Sequence, residues 1–337
     1  MSQVLDLARG LVDIPSVTGS EAAVADWLAG RLRALGYTVE RVETEPGRPN
    51  LLATTHAPPR VVFSTHLDTV PPHVPARIAD GYLYGRGACD AKGIAATQIA
   101  AAERLRAAGE SRVGLLFVVD EETGGNGAKT MNGHRLASEC RFLVNGEPTE
   151  NRVIKGCKGS LRLRLRTRGP GGHSAYPDAA PSAIHVLVQV LADIQHAVFP
   201  TDAVLGGTTC NVGTITGGEA LNVIARTAEA GLQIRIVTTP EATFQRLREV
   251  VAGRADIELL SSTPPIHLTV PEGFETAIVS YSTDIPHLSK WGKPLLLGPG
   301  SILQAHVPDE RIAIADLERG VALYEQLGRT LLAGVTA

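Results

Sequence analysis

Aromatic residues are scarce, at 4% of 337 positions with two Trp and two Met, so a core of small aliphatic side chains is expected, and composition alone points to no chemistry. Cysteine is nearly missing: the four thiols at 89, 140, 157 and 210 form no C-x-x-C pair and no dense framework. That pattern fits a reduced compartment and a cytoplasmic protein. No excess of one charge exists either, since 32 basic side chains face 35 acidic ones for a net −3. Without a Lys/Arg run to neutralise phosphates, nucleic acid is not an expected partner. No run of eighteen apolar residues occurs, and the start Met-Ser-Gln-Val-Leu-Asp lacks a basic region, so neither a membrane span nor secretion is expected. No G-x-S-x-G turn is present to carry a serine nucleophile. The glycines of Gly124-Gly125-Asn126-Gly127-Ala128-Lys129-Thr130 have the wrong spacing for a phosphate loop. Cys89 stands beside Asp90, whose charge disfavours a thiolate.

What is present is enough apolar sequence for one large core or two modest ones, with 44% hydrophobic and 20% charged residues, which excludes disorder. Val4, Leu5, Ala8, Leu11 and Val12 recur at helical spacing. A second helix is expected from Ser20 as its cap through Val24, Trp27, Leu28, Leu32 and Leu35 to Gly36. Runs at 50–54, 60–65, 113–120 and 141–145 are apolar without alternation, as in strands buried on both faces. An Ala-rich helix over 94–108 lies between them. From about residue 155 the pattern changes, because Leu161, Leu163 and Leu165 alternate with Arg162, Arg164 and Arg166, marking a strand with one wet face. The expected fold is α/β: a largely parallel, mixed sheet with helices on both faces over 1–154 and 266–337, with a second, β-α-β-β-α-β domain inserted over 155–265.

Chemistry-bearing residues recur where buried strands end. His66-Leu67-Asp68 follows Val61-Val62-Phe63, at the edge where ligands gather in open α/β sheets. Asp90 lies in a glycine-rich loop over 85–93, Asp120-Glu121-Glu122 ends a second strand, Gly146-Glu147-Pro148 follows a third, and His306 follows the strand at 294–297. Several like charges converging on one edge need a cation. Two His and three carboxylates suit zinc or a similar divalent ion, and a carboxylate such as Asp90 can bridge two ions. On an extended strand end Glu121 and Glu122 point in opposite directions, so one can ligate while the other moves a proton from metal-bound water to a leaving amine. Asp68 is placed to fix the tautomer of His66. In the inserted segment, His173 of Gly172-His173-Ser174 can donate to a developing oxyanion, and Asn222 with Arg235 can bind a substrate carboxylate.

Taken together, His66-Leu67-Asp68-Thr69-Val70, the 85–93 loop, Asp120-Glu121-Glu122-Thr123-Gly124, Gly146-Glu147-Pro148, Gly172-His173-Ser174 and Gln304-Ala305-His306 resemble the di-zinc aminoacylase and carboxypeptidase family, which includes acetylornithine deacetylase and succinyl-diaminopimelate desuccinylase. The resemblance covers nearly the whole chain. It implies two divalent ions, zinc first and cobalt or manganese as substitutes, with Asp90 bridging them. His66 and Glu147 then complete one site, Glu122 and His306 the other. It further implies Glu121 as general base and a homodimer joined through the inserted domains, with His173 reaching the partner's active site. The expected reaction is cleavage of an N-acyl amino acid, acetylornithine deacetylase-like, by a metal-bridging hydroxide. Only 24 positions separate His66 from Asp90, without the longer aromatic loop of those deacetylases. A dipeptidase or carboxypeptidase-type exopeptidase, or a hydrolase releasing lysine or ornithine from an amino-group carrier protein, is therefore the alternative. A non-enzymatic binding protein on the same scaffold would have lost a ligand or the base, and none is lost.

Overall fold

A computed structural model describes residues 2–334. The chain forms two compact units: the first runs through Lys155 and takes up Leu268–Ala277 and the residues from Thr283, while the second comprises Gly156–His267 and Ile278–Ser282. In chain order, the first unit supplies helices α1 (Gln3–Val12) and α2 (Ala22–Ala34), strands β1 (Thr38–Glu45), β2 (Arg48–Thr54) and β3 (Val61–His66), helix α3 (Lys92–Ala107), strand β4 (Val113–Val118), helix α4 (Asn126–Met131) and strand β5 (Phe142–Asn145). The second unit supplies β6 (Gly159–Arg168), α5 (Ala183–His196), β7 (Thr209–Gly217), β8 (Thr227–Ile236), α6 (Pro240–Val251) and β9 (Asp256–Thr263). The first unit closes with β10 (Lys293–Leu296) and α7 (Ile314–Ala333).

The six-stranded sheet of the first unit has the order β1-β2-β4-β3-β5-β10. β4, β3, β5 and β10 run parallel, and β1 and β2 add an antiparallel edge. Alternation along each parallel strand feeds two cores. Val61, Phe63, Leu115 and Phe117 pack with helices α1, α2, α3 and α7, whereas Val62, Leu116 and Val118 pack with Ala128 and Met131 of α4 and with Trp291. The second unit builds an antiparallel sheet in the order β7-β8-β6-β9. Leu161, Leu163 and Leu165 lie under α5 and α6, and the alternating arginines pair outward, Arg164 with Glu258 and Glu229, and Arg166 with Glu229. Among the described residues no helix is long and apolar enough to cross a membrane, and none of the four cysteines forms a disulfide.

Two local expectations change. Helix α2 takes Glu21 rather than Ser20 as its N-cap residue, without a side-chain cap, because the Glu21 carboxylate is drawn instead to the Gly19 N–H at 3.0 Å and to Arg48 at 2.6 Å. The strand expected to reach Asp120 stops at Val118, and Asp120 turns the chain with φ +71.

Strand ends are tied to the helices behind them by one buried polar link. Gln98 Nε2 of α3 donates to Ser64 O at 2.9 Å and to the Tyr324 hydroxyl of α7 at 3.1 Å, and that hydroxyl donates to Leu297 O just past β10. Gly146 passes through this link, since a methyl group there would stand 2.4 Å from Gln98 Nε2, 2.6 Å from Ile94 Cγ2 and 3.0 Å from the Tyr324 hydroxyl. Close packing leaves no room to give. We expect Gly146→Ala to lower unfolding stability by about 1–3 kcal/mol; an unchanged urea midpoint would refute this account of the turn that carries Glu147.

Candidate active site

Parallel strands deliver their carboxyl ends to one edge, and that is where the acidic and imidazole groups collect. His66 is the last residue of β3. Glu121 and Glu122 follow β4, Glu147 follows β5 after Gly146, and His306 follows β10 after the turn Ile302–Gln304. Asp90 immediately precedes α3, where Ala91 is the N-cap residue. His66, Asp90 and Glu147 are all buried.

Asp90 stands between two imidazoles. His66 Nε2 is 3.0 Å from its Oδ1 and His306 Nε2 is 3.3 Å from its Oδ2. His306 Nε2 is also 3.1 Å from Glu122. One donor atom each from His66, Asp90 and Glu122 lies within 4.8 Å of the others. Glu147 Oε1 is buried with no hydrogen-bond partner. Among the described residues, no Lys or Arg pairs with Asp90, Glu121, Glu122 or Glu147.

A second layer holds these groups. The fully buried Asp68 carboxylate accepts the Glu121 N–H on Oδ1 at 3.1 Å, and the Glu122 N–H at 3.2 Å and the Thr18 hydroxyl at 2.9 Å on Oδ2. His66 Nδ1 lies 2.9 Å from the Asp68 carbonyl and 3.6 Å from its carboxylate. This fixes the ring so that Nε2 faces Asp90. Because β4 has already ended, Glu121 and Glu122 lie in a turn whose two backbone N–H groups Asp68 grips, and strand alternation does not govern them. Asp120 anchors the same turn through Thr123 Oγ1 at 2.8 Å, Asn126 N at 3.2 Å and Arg48 at 3.0 Å.

Electrostatics divide the acids. Burial pushes Asp68 and Asp120 up, but His66 on the first and Thr123 and Arg48 on the second hold both below the usual carboxylate range. Burial likewise opposes ionisation of Asp90, yet hydrogen bonds from His306 and His66 keep its carboxyl well below that range. Glu121 is pushed well above its ordinary value by burial and by Asp284, Asp90 and Glu122, against the pull of His66. Glu147 is pushed up by burial and by Asp90 and Glu121. Hydrogen bonds to Asp90 and Glu122 raise His306 to about 10. An unpartnered buried carboxylate oxygen, three donors converging within bonding reach and no fixed cation nearby together fit dications. His66, Asp90, Glu122, Glu147 and His306 are the residues that would hold them, and Asp90 offers one oxygen to each side.

Other expected residues lie in the second unit. His173 is exposed, with its Nδ1 accepting the Ala175 N–H at 3.2 Å, and its strand Gly172–His173 pairs with Val223–Ile224. The Asn222 carbonyl accepts the Ser174 N–H at 3.1 Å. Arg235 is half-buried on β8, where burial and Arg162 lower its pKa. Among the described residues, no hydrogen bond joins Arg235 to Asn222 or to His173. Sequence reading missed Thr18, Arg48 and Asp284. The buried Asp284 carboxyl, with Oδ2 unpartnered, is raised to about 7 by burial against the pull of His66. No local pattern marks any of the three.

The profile described as Peptidase family M20/M25/M40 matches residues 62–330. A Paracoccidioides brasiliensis protein described as "Probable carboxypeptidase" is 36% identical over 374 residues, covering 97% of this chain and 85% of its own. Aminopeptidase PepT from Bacillus cereus superposes with a TM-score of 0.79 at 19% identity, over 98% of each chain. The Bacillus subtilis YXEP protein, described as a dinuclear metal binding peptidase from the M20 family, superposes with a TM-score of 0.70 at 14% identity, over 98% of this chain and 97% of its own. The two structural likenesses speak for the fold.

Ion uptake here displaces protons, because His306, raised to about 10, must surrender its Nε2 proton to ligate. Apparent zinc affinity should therefore rise with pH between about 6 and 8, roughly tenfold per unit for each proton displaced. Calorimetric titration in buffers of different ionisation enthalpy counts those protons, and a pH-independent affinity would remove His306 from the ligand set.

Proposed function

The chain belongs to peptidase family M20/M25/M40, and from that premise we propose that it is a carboxypeptidase-type hydrolase of N-acylated amino acids and short peptides, with N-acyl amino acid deacetylation as the smallest such reaction. That the chain is a metal-dependent hydrolase of peptide or amide bonds follows from the family itself. The observation that carries the hydrolytic chemistry is Asp90 held between His66 and His306, with the Glu121 carboxyl raised by burial and by the charge of Asp90. Carboxypeptidase-type cleavage is supported by the name of the 36%-identical relative, and deacetylation by the motif around Gln304-Ala305-His306.

When bound, the dications supply Lewis-acid polarisation of the scissile carbonyl and acidify water. Glu121, raised by burial above the usual carboxylate range, takes a proton at its carboxylate and returns it to the leaving amine, as a general base turned acid. Asp68 keeps that carboxylate in place through the Glu121 N–H and orients His66 from behind. From the motif resemblance we further assign His173 to the oxyanion and Arg235 with Asn222 to the substrate carboxylate. We also assign the protein to a homodimer. Ile184 and Val188, four positions apart on α5, and Ile215 on the edge strand β7 are exposed apolar side chains that a second copy would cover.

Glu121→Gln should retain two zinc equivalents and lose about 10²–10⁴ in kcat, measured side by side on N-acetyl amino acids, dipeptides and their C-terminal amides. Full activity in that variant would dismiss Glu121 as base, and equal rates on the amides would dismiss recognition of a free carboxylate. Sedimentation equilibrium should show a dimer that Val188→Glu splits; a monomeric wild type would reject the assembly.

A further inference from the structure

Glu310 lies four residues beyond His306, buried at 2% exposure. Its Oε1 accepts three backbone N–H groups of the loop that ends at Asp90: Gly87 at 3.0 Å, Cys89 at 3.1 Å and Asp90 at 3.1 Å. Its Oε2 accepts Arg86 Nη1 at 2.6 Å. Arg86 reaches back to the Val307 carbonyl at 3.3 Å and to the Pro72 carbonyl at 3.2 Å, and the Gly85 N–H donates to the Glu310 carbonyl at 3.0 Å.

Amides that converge on one point make a concavity suited to an anion. Buried N–H groups must find an acceptor, and the chain provides it from residue 310. The segment carrying His306 is thereby clasped to the loop carrying Asp90, and His306 Nε2 stands 3.3 Å from Asp90 Oδ2.

We propose that Glu310 is a positioning residue for the metal centre: its side chain, by reaching three amides at once, sets Asp90 and His306 at the separation one shared ion requires. The inference rests on the metal-site reading above and adds to it the device that assembles two of the ligands. Reach and charge make different demands. Glu310→Asp keeps the charge for Arg86 but shortens the arm by one methylene, about 1.5 Å, and can no longer meet the three amides. Glu310→Gln keeps the reach and an acceptor oxygen while giving up the charge.

Full-length protein and both variants, stripped with chelator, are titrated with zinc against a chromophoric competitor at a temperature where circular dichroism shows each folded. Wild type should take up two ions. Glu310→Asp should lose about 10–100-fold in affinity for one of them, and Glu310→Gln less than Glu310→Asp. Wild-type affinity in Glu310→Asp, or a larger loss in Glu310→Gln, would overturn the inference, because charge toward Arg86 would then be what matters. A wild type that takes up no zinc would overturn the metal reading itself, and this inference with it.

Discussion

Acidic side chains gathered at one buried sheet edge are the constraint that the rest of the structure serves. Taking carboxylates out of water is costly unless opposite charge and hydrogen bonds compensate, and here Asp90, Glu121, Glu122 and Glu147 gather around the imidazoles of His66 and His306. Parallel topology makes such a meeting feasible. Strands β3, β4, β5 and β10 all point the same way, so the residues after each strand converge, whereas an antiparallel sheet would send half of them to the opposite edge. Burial of those strands on both faces then makes the edge rigid.

The acids of this region divide by what satisfies them. Asp68 and Asp120 are surrounded by hydroxyl groups, backbone amides and, for Asp120, the Arg48 guanidinium, and both are held ionised. Their donors belong to different parts of the chain, so each carboxylate works as a strut. Glu121 and Glu147 have no such company, and burial drives their pKa up. Environments that push neighbouring carboxyls in opposite directions separate structural acids from acids available for proton transfer and ion binding. Glu121 shows both layers acting on one residue, because its backbone N–H is fixed by Asp68 while its carboxyl is left unpaired.

Residues with chemistry of their own were legible in the sequence. His66, Asp90, Glu121, Glu122, Glu147 and His306 each follow or flank an apolar run, and residue type plus position at a strand end is a local signal. The alternating Leu and Arg of β6 were legible for the same reason, since period two survives in six consecutive letters. The struts were not. Arg48 meets Asp120 across 72 positions and Glu310 meets the Asp90 loop across 220, and nothing in either stretch announces the other. Strand β1 escaped notice because it is an exposed edge strand with charges at Glu40, Arg41, Glu43 and Glu45, which hide the pattern of its half-buried valines. Ser20 looked like a cap by residue type, but helix-start propensity yields to Glu21 once Arg48 is near. Glu121 and Glu122 were expected on an extended strand end, where alternation would part them; the strand instead stops at Val118 and both lie in the turn after Asp120.

Hydrogen bonds to Asp90 and Glu122 raise His306 to about 10, and Asp68 and Asp90 raise His66 above its ordinary value against the cost of its burial, while the same two rings hold the Asp90 carboxyl low. The His66 ring is oriented in advance by Asp68, and the glutamate turn is already closed on the same residue. Little reorganisation remains to be done on binding, which is the condition under which ligand geometry is set by the protein and not by the metal. Asp68 thus ties two parts of the site together: it holds the His66 ring and the turn that carries Glu121 and Glu122, and a displacement of that single carboxylate would disturb both together.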